Sequence, residues 1–342
     1  MSNFSTKLIE WQGIHGRHDL PWQGTDAYRV WLSEIMLQQT QVATVIPYYQ
    51  RFVDTFPNVA QLAAATEEQV LAHWSGLGYY ARGRNLHRAA QIIVEKYQGQ
   101  FPRAFNQIIE LPGVGRTTAA AICALAFHES RAILDGNVKR VLARYLGIAG
   151  WTGDKEVEAQ LWQQAEILLP IKDVATYTQS LMDMGATICT RSRPKCVICP
   201  VQGDCFAFKT NRTNELPTTR QRKTVPEKNT TFLMFKHGND ILLEKRPGSG
   251  IWGGLWCFPQ VESEKSMSEF VQRNGIKVLK QKELQKFTHT FTHFKLHITP
   301  LMVEVVQKQS QGWEAECVWL DIRDALKAAI PTPVRQILKK LT

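Results

Sequence analysis

A chain of 342 residues is long for one hydrophobic core and fits two domains comfortably. Hydrophobic residues at 44% and charged ones at 21% describe an ordinary globular protein, and no apolar run nears the roughly 18 residues a membrane span needs. The net charge of +10 favours a polyanionic partner, and residues 1–20 carry no targeting pattern, so a bacterial cytoplasmic protein is expected.

From the start to about Phe208 the periodicity is helical. The run from Tyr28 to Thr40 is largely apolar, and Glu34 stands in it among Val30, Trp31, Ile35 and Leu37. A glutamate there is either a paired core residue or a site residue kept partly protonated by desolvation. Val42, Val45, Ile46, Tyr49 and Phe52 repeat at helix spacing, with Thr40 placed to cap them. Farther on, Leu111-Pro112-Gly113-Val114-Gly115 separates two helical patterns, Ala104–Glu110 and Arg116–Phe127. Glycines permit a tight turn there, and the amides opening the second helix can face an anion. Asp135 precedes the next helical stretch, Val138, Val141, Leu142 and Tyr145, and is a natural N-cap. A capping carboxylate accepts backbone N–H bonds and feels the helix dipole, so its pKa is expected to fall.

Seven cysteines is an odd count, and four of them crowd into Cys189-x6-Cys196-x2-Cys199-x5-Cys205. Four thiolates so close can wrap one metal centre, either a structural zinc ion or an iron–sulfur cluster. Arg191, Arg193 and Lys195 lie between the first two and are candidate phosphate contacts. Lys209 to Lys228 is polar and basic without apolar periodicity, which reads as a linker. Strands are expected at Thr230–Lys236 and Ile241–Lys245 around a Gly-Asn-Asp turn, then at Ile298–Val306 and Cys317–Ile322. The chain therefore reads as a helical domain over residues 1–208, a linker over 209–228 and a smaller α/β domain over 229–342.

These motifs together resemble a known family. The cysteine spacing is similar to the [4Fe–4S] loop of the endonuclease III family, and the Leu111–Gly115 turn resembles its helix–hairpin–helix. Leu20-Pro21-Trp22, Trp31-Leu32-Ser33-Glu34, Leu37-Gln38-Gln39-Thr40-Gln41-Val42, Gly76-Leu77-Gly78-Tyr79-Tyr80-Ala81 and Trp252-Gly253-Gly254-Leu255-Trp256-Cys257-Phe258-Pro259 narrow the match to adenine DNA glycosylases of the MutY type. The resemblance implies an all-α helix–hairpin–helix glycosylase domain with an iron–sulfur loop, followed by a Nudix-like domain. It implies a monomer acting on double-stranded DNA, removing adenine opposite 8-oxoguanine or guanine.

By position, Glu34 would protonate adenine and Asp135 would stabilise the sugar cation. Cys189, Cys196, Cys199 and Cys205 would hold the [4Fe–4S] cluster. Trp22 would line the adenine pocket, Gln39 and Tyr79 would wedge into the duplex, and Gly113 and Gly115 would grip a phosphate. Thr117 stands where bifunctional relatives place a Schiff-base lysine, so a monofunctional enzyme is expected. Lys139 lies near Asp135 in sequence and is a candidate DNA contact. The recognition loop of the family, Phe-Ser-His, is replaced by Phe291-Thr292-His293. After Pro259 the chain lacks the R-E-x2-E-E carboxylates of a Nudix hydrolase, so this domain is expected to read and not to cut.

Overall fold

The computed structural model describes residues 2–220, 224–262, 264–308 and 316–342. In chain order the helices are α1 (Asn3–His15), α2 (Ala27–Leu37), α3 (Val42–Thr55), α4 (Val59–Ala64), α5 (Glu67–Trp74), α6 (Ala81–Tyr97), α7 (Phe105–Ile108), α8 (Arg116–Phe127), α9 (Gly136–Leu146), α10 (Lys155–Ile167), α11 (Val174–Asp183) and α12 (Phe206–Lys209). After them come β1 (Glu227–His237), β2 (Asp240–Lys245), β3 (Trp256–Cys257), β4 (Gln260–Val261), α13 (Glu264–Arg273), β5 (Val278–Glu283), β6 (Phe287–Thr290), β7 (Lys295–Val305), β8 (Cys317–Asp321), α14 (Ile322–Ala325) and α15 (Thr332–Leu338).

Packing divides the chain into two compact units. The first comprises Met1–Ala64 and Asn85–Arg222, and the second comprises Ala65–Arg84 and Lys223–Thr342. The core of the first gathers Phe4 and Leu8 of α1, Ala120 and Ala121 of α8, Val138, Val141 and Leu142 of α9, and Tyr177 and Leu181 of α11. The buried face of α8 is mostly alanine, Ala119 to Ala121 and Ala124, which lets α2 and α11 approach closely. Asp135 caps α9 by accepting from the Val138 amide at 2.8 Å, and Gly147 ends that helix at φ 73°. The expected cap at Thr40 is not formed. Gln41 occupies the cap position of α3 without a side-chain bond, and the Thr40 hydroxyl instead donates to the Gln38 carbonyl at 3.4 Å.

In the second unit β1 and β7 pair in parallel at the sheet centre, and the path runs β3-β2-β1-β7-β5. Antiparallel partners complete it: β4 on β1, β6 on β7 and β8 on β2. The β1–β2 register, His237 opposite Asp240, makes the turn two residues long, with Gly238 at φ 61°. Leu233, Phe235, Leu242, Val303 and Val305 form the core against α13.

Segment 65–84 packs with these strands although the helical pattern suggests membership of the first unit. Thr66 and Gln69 close a capping box on α5. Three bonds then tie the segment down within its unit: the Trp256 indole donates to Glu68 at 2.5 Å, the Ser75 hydroxyl to the Ile330 carbonyl at 2.5 Å and Arg84 to the Gly253 carbonyl at 2.5 Å. Of the linker expected over 209–228, residues 221–223 lie outside the described residues. The part before them is pinned to the first unit: Arg144 donates to the Leu216 carbonyl at 2.8 Å, and the Gly150 amide to the Thr218 hydroxyl at 3.1 Å. Strand β1 has already begun by Glu227.

Candidate active site

Two carboxylates of the first unit lie within electrostatic reach of each other. Glu34 is carried by α2, a helix buried on nearly every side by Val30, Trp31, Leu32, Ile35 and Met36. Desolvation, reinforced by the charge of Asp135, pushes the Glu34 carboxyl up to about 8. Asp135 is also raised, which reverses the expectation from its capping role. Burial dominates, and the amides of Val138 and Asn137, the Arg140 charge and the Asn137 side chain oppose it without cancelling it. Burial thus holds Glu34 toward its protonated form, and the charge of Asp135 works in the same direction.

The Asp135 carboxylate has a further shell. The Asn137 amide reaches it at 3.5 Å, and Arg140 donates to the Asn137 side-chain oxygen at 2.9 Å, to the Gly185 carbonyl at 2.6 Å and to the Cys189 carbonyl at 2.7 Å. Sequence pattern does not single out Asn137 or Arg140; the available signal is their place in the first turns of a helix whose cap is itself a candidate. Lys139 turns elsewhere, its amine pairing with Glu158 of α10 at 2.9 Å. Trp22 is 5% exposed and meets the Tyr49 ring edge-on at 5.3 Å.

The hairpin turn has the backbone its glycines permit. Gly113 sits at φ 81°, and a Cβ there would lie 3.0 Å from that of Asn85. Gly115 is the cap residue of α8 and supplies no side chain to the helix amides, with Thr117 at the second helical position. Gln38, another residue that pattern does not single out, donates to the Gly113 carbonyl at 3.2 Å and joins the end of α2 to the turn. Gln39 follows in a left-handed conformation, φ 57°, with its side chain exposed.

Cys189, Cys196, Cys199 and Cys205 line one cavity with Val141, Tyr145 and other apolar groups. Arg144 reaches the Cys189 sulfur at 3.4 Å and the Thr190 carbonyl at 2.7 Å. Burial, with the neighbouring sulfurs adding, pushes the Cys199 thiol up to about 12. Among the described residues no three metal-binding side chains converge as they would on one ion. A tetrahedral zinc site, with Zn–S near 2.3 Å, needs sulfurs about 3.8 Å apart. Four cysteines on one cavity are a donor set for either kind of centre.

In the second unit the Tyr79 hydroxyl and the Thr292 hydroxyl share a 2.6 Å hydrogen bond, so two expected recognition residues meet. Tyr79 is 46% exposed, at φ 47°. The turn between β6 and β7 is closed by the Phe291 amide on the Phe294 carbonyl at 2.9 Å. Phe291 is stacked on Phe294 at 4.4 Å and edged by His289 at 4.7 Å, which leaves Thr292 and His293 exposed at the tip.

Comparison with known proteins follows the same division. The HhH-GPD superfamily of base excision DNA repair proteins matches residues 32–166, and a NUDIX domain matches residues 230–340. The chain is 40% identical over 339 residues to an adenine DNA glycosylase of Buchnera aphidicola subsp. Schizaphis graminum, covering 98% of each. It is 32% identical to the adenine DNA glycosylase of Mus musculus, covering 98% of this chain and 77% of the mouse protein. Among solved structures, a thermostable thymine-DNA glycosylase superposes with a TM-score of 0.54 at 28% identity, over 60% of this chain and 95% of that one. No helix among the described residues is long and apolar enough to cross a membrane.

Proposed function

The chain belongs to the adenine DNA glycosylases, hydrolases of N-glycosyl bonds in base excision repair, and from that premise we propose that Glu34 and Asp135 perform the cleavage on adenine mispaired with 8-oxoguanine or guanine. Loss of a purine from deoxyribose passes through an oxocarbenium-like sugar, so the reaction needs a proton on the leaving base and an anion beside the developing cation. Glu34 supplies the proton to an adenine ring nitrogen. Asp135, whose carboxyl accepts from the Val138 amide at 2.8 Å, supplies the anion. The observation that carries this reading is the Glu34 carboxyl, raised to about 8 by burial within electrostatic reach of Asp135, the cap of α9.

Glycosylases of this family typically carry a [4Fe–4S] cluster, and Cys189, Cys196, Cys199 and Cys205 are the residues that would hold one here. Such a cluster would supply a structural tie between the loop and α9, where Arg140 and Arg144 already donate to loop carbonyls. The Thr292–Tyr79 pair and His293 serve lesion recognition, and Trp22 serves the adenine pocket. An endonuclease III-like bifunctional lyase is the second reading. It lacks support because Thr117 offers no amine and the Lys139 amine is held by Glu158.

The test is a strand-nicking assay on duplexes bearing adenine opposite 8-oxoguanine, with and without alkali. An intact abasic strand that breaks only in alkali is the expected product. Cleavage without alkali at the rate of base loss overturns the monofunctional assignment, and no base loss at all overturns the function.

A further inference from the structure

The helix that follows the Tyr79 turn begins with a buried charge that neither the carboxylate pair nor the hairpin tip uses. Arg82 is 8% exposed and lies in the first turn of α6, which has no acidic residue. Both placements oppose a cation. Burial strips water from the guanidinium, and the N-terminal end of a helix is already positive. Burial pulls its pKa down to about 10, so the group is still charged at neutral pH. A charge kept there against both effects needs a specific use.

Its donors supply one. Arg82 Nη2 donates to the Gly78 carbonyl at 3.1 Å and to the Leu77 carbonyl at 3.3 Å. The Trp74 indole donates to the same Gly78 carbonyl at 3.2 Å. A carbonyl gripped by two donors holds its peptide plane, and the plane between Gly78 and Tyr79 constrains φ of Tyr79. That angle is 47°, in the left-handed region a tyrosine seldom adopts, and Gly76 at 108° and Gly78 at 73° lead into it. The guanidinium also lies over the Tyr79 ring at 5.5 Å and over the fully buried Trp74 ring at 5.4 Å. At the far end the Tyr79 hydroxyl is bonded to Thr292. The ring is thus fixed at its backbone, beside one face and at its tip.

We propose that Arg82 is the positioning residue for Tyr79, holding the Gly76–Tyr79 turn in its left-handed form so that the ring is set for insertion into the duplex. The inference rests on Tyr79 acting as a wedge and names the residue that aims it. Ordering the ring in advance removes freedom that insertion would otherwise have to freeze. Lysine is a poor substitute, because a compact ammonium cannot lie flat over both rings while it serves both carbonyls.

Fluorescence reads the insertion. Full-length protein is added to saturation to a duplex with 8-oxoguanine opposite 2′-fluoro-2′-deoxyadenosine, whose sugar resists base loss, and with 2-aminopurine stacked beside the mispair. 2-Aminopurine brightens when its stacking is broken, and at saturation the amplitude depends on neither affinity nor chemistry. The native protein should give a rise, and Y79A should abolish most of it. R82A and R82Q should cut the rise about fivefold, because an unsupported left-handed tyrosine is a minor conformer. R82K should keep about half of it. R88A, which removes an exposed arginine farther along α6, is the comparison variant and should match the native amplitude. If R82A does not fold, R82Q and R82K decide, with circular dichroism confirming that each is folded. A full rise in R82A or R82Q while Y79A stays dark overturns the positioning role and leaves the wedge standing. An equal loss in R88A overturns it as well. A full rise in Y79A removes the wedge itself, and the proposal with it.

Discussion

Replacing Glu34 by glutamine should make the protein more stable at neutral pH while it abolishes base release. In the unfolded chain the carboxyl titrates near its ordinary 4.5, and burial raises it to about 8 in the folded one. Between those values the folded chain holds a proton that the unfolded chain has released. The associated stability is complete below pH 4.5, declines as the pH rises and is gone above about 8. At about 1.4 kcal/mol per pH unit, the loss between pH 4.5 and pH 7 amounts to ~3 kcal/mol at most. Glu34 keeps partial solvent access, and screening brings the expectation nearer ~1.5 kcal/mol. Glutamine has no such titration. The Tm of E34Q should therefore exceed that of the native protein by about 3–6 °C at pH 7, and the two should converge toward pH 4.5. Thermal unfolding followed by circular dichroism at several pH values reads this directly. Single-turnover adenine release by the same variant should fall by roughly 100-fold or more, and native release should decline as the pH passes about 8. Equal Tm differences at pH 4.5 and pH 7 would refute the buried, protonated Glu34, and near-native release would refute its role as the acid.

Three further outcomes are expected. D135N should keep its fold to within about 1 kcal/mol, because asparagine caps α9 as well as aspartate does, yet base release should collapse; it should also move the Glu34 titration downward, a change visible by NMR. Purified protein should contain about four iron atoms per chain by metal analysis, and one zinc per chain without iron would exclude the cluster. T292A and Y79F should each weaken the preference for 8-oxoguanine over guanine by about 1 kcal/mol, measured as a ratio of single-turnover rates; the double variant should lose no more than either, since one hydrogen bond joins the pair.

The chemistry of the site is legible in the sequence where it depends on local pattern. Asp135 announces itself as a cap because a β-region residue followed by Gly136 and an apolar period has few other uses, and the cysteine spacing declares a compact centre. The direction of the Asp135 titration is not legible. The amides that lower it are neighbours in sequence, whereas the burial that raises it is assembled from other helices. Strands β3 and β4 leave no pattern because two residues cannot show alternation, and β5 leaves none because it is exposed along its whole length. Segment 65–84 is hidden because its capping and apolar spacing match those of the helices on either side. What distinguishes it is the identity of its partners.

Those partners set a schedule for the growing chain. The Ser75 hydroxyl waits for a carbonyl 255 residues downstream. At translation rates of about 5–20 residues per second, the waiting time is on the order of 10–50 s, far longer than a helix takes to form. During that interval Trp74 and Leu71, fully buried at the end, have no sheet-borne partners to cover them. The nascent protein is therefore most open to chaperone capture, or to misassociation on a crowded ribosome, through a segment near its beginning.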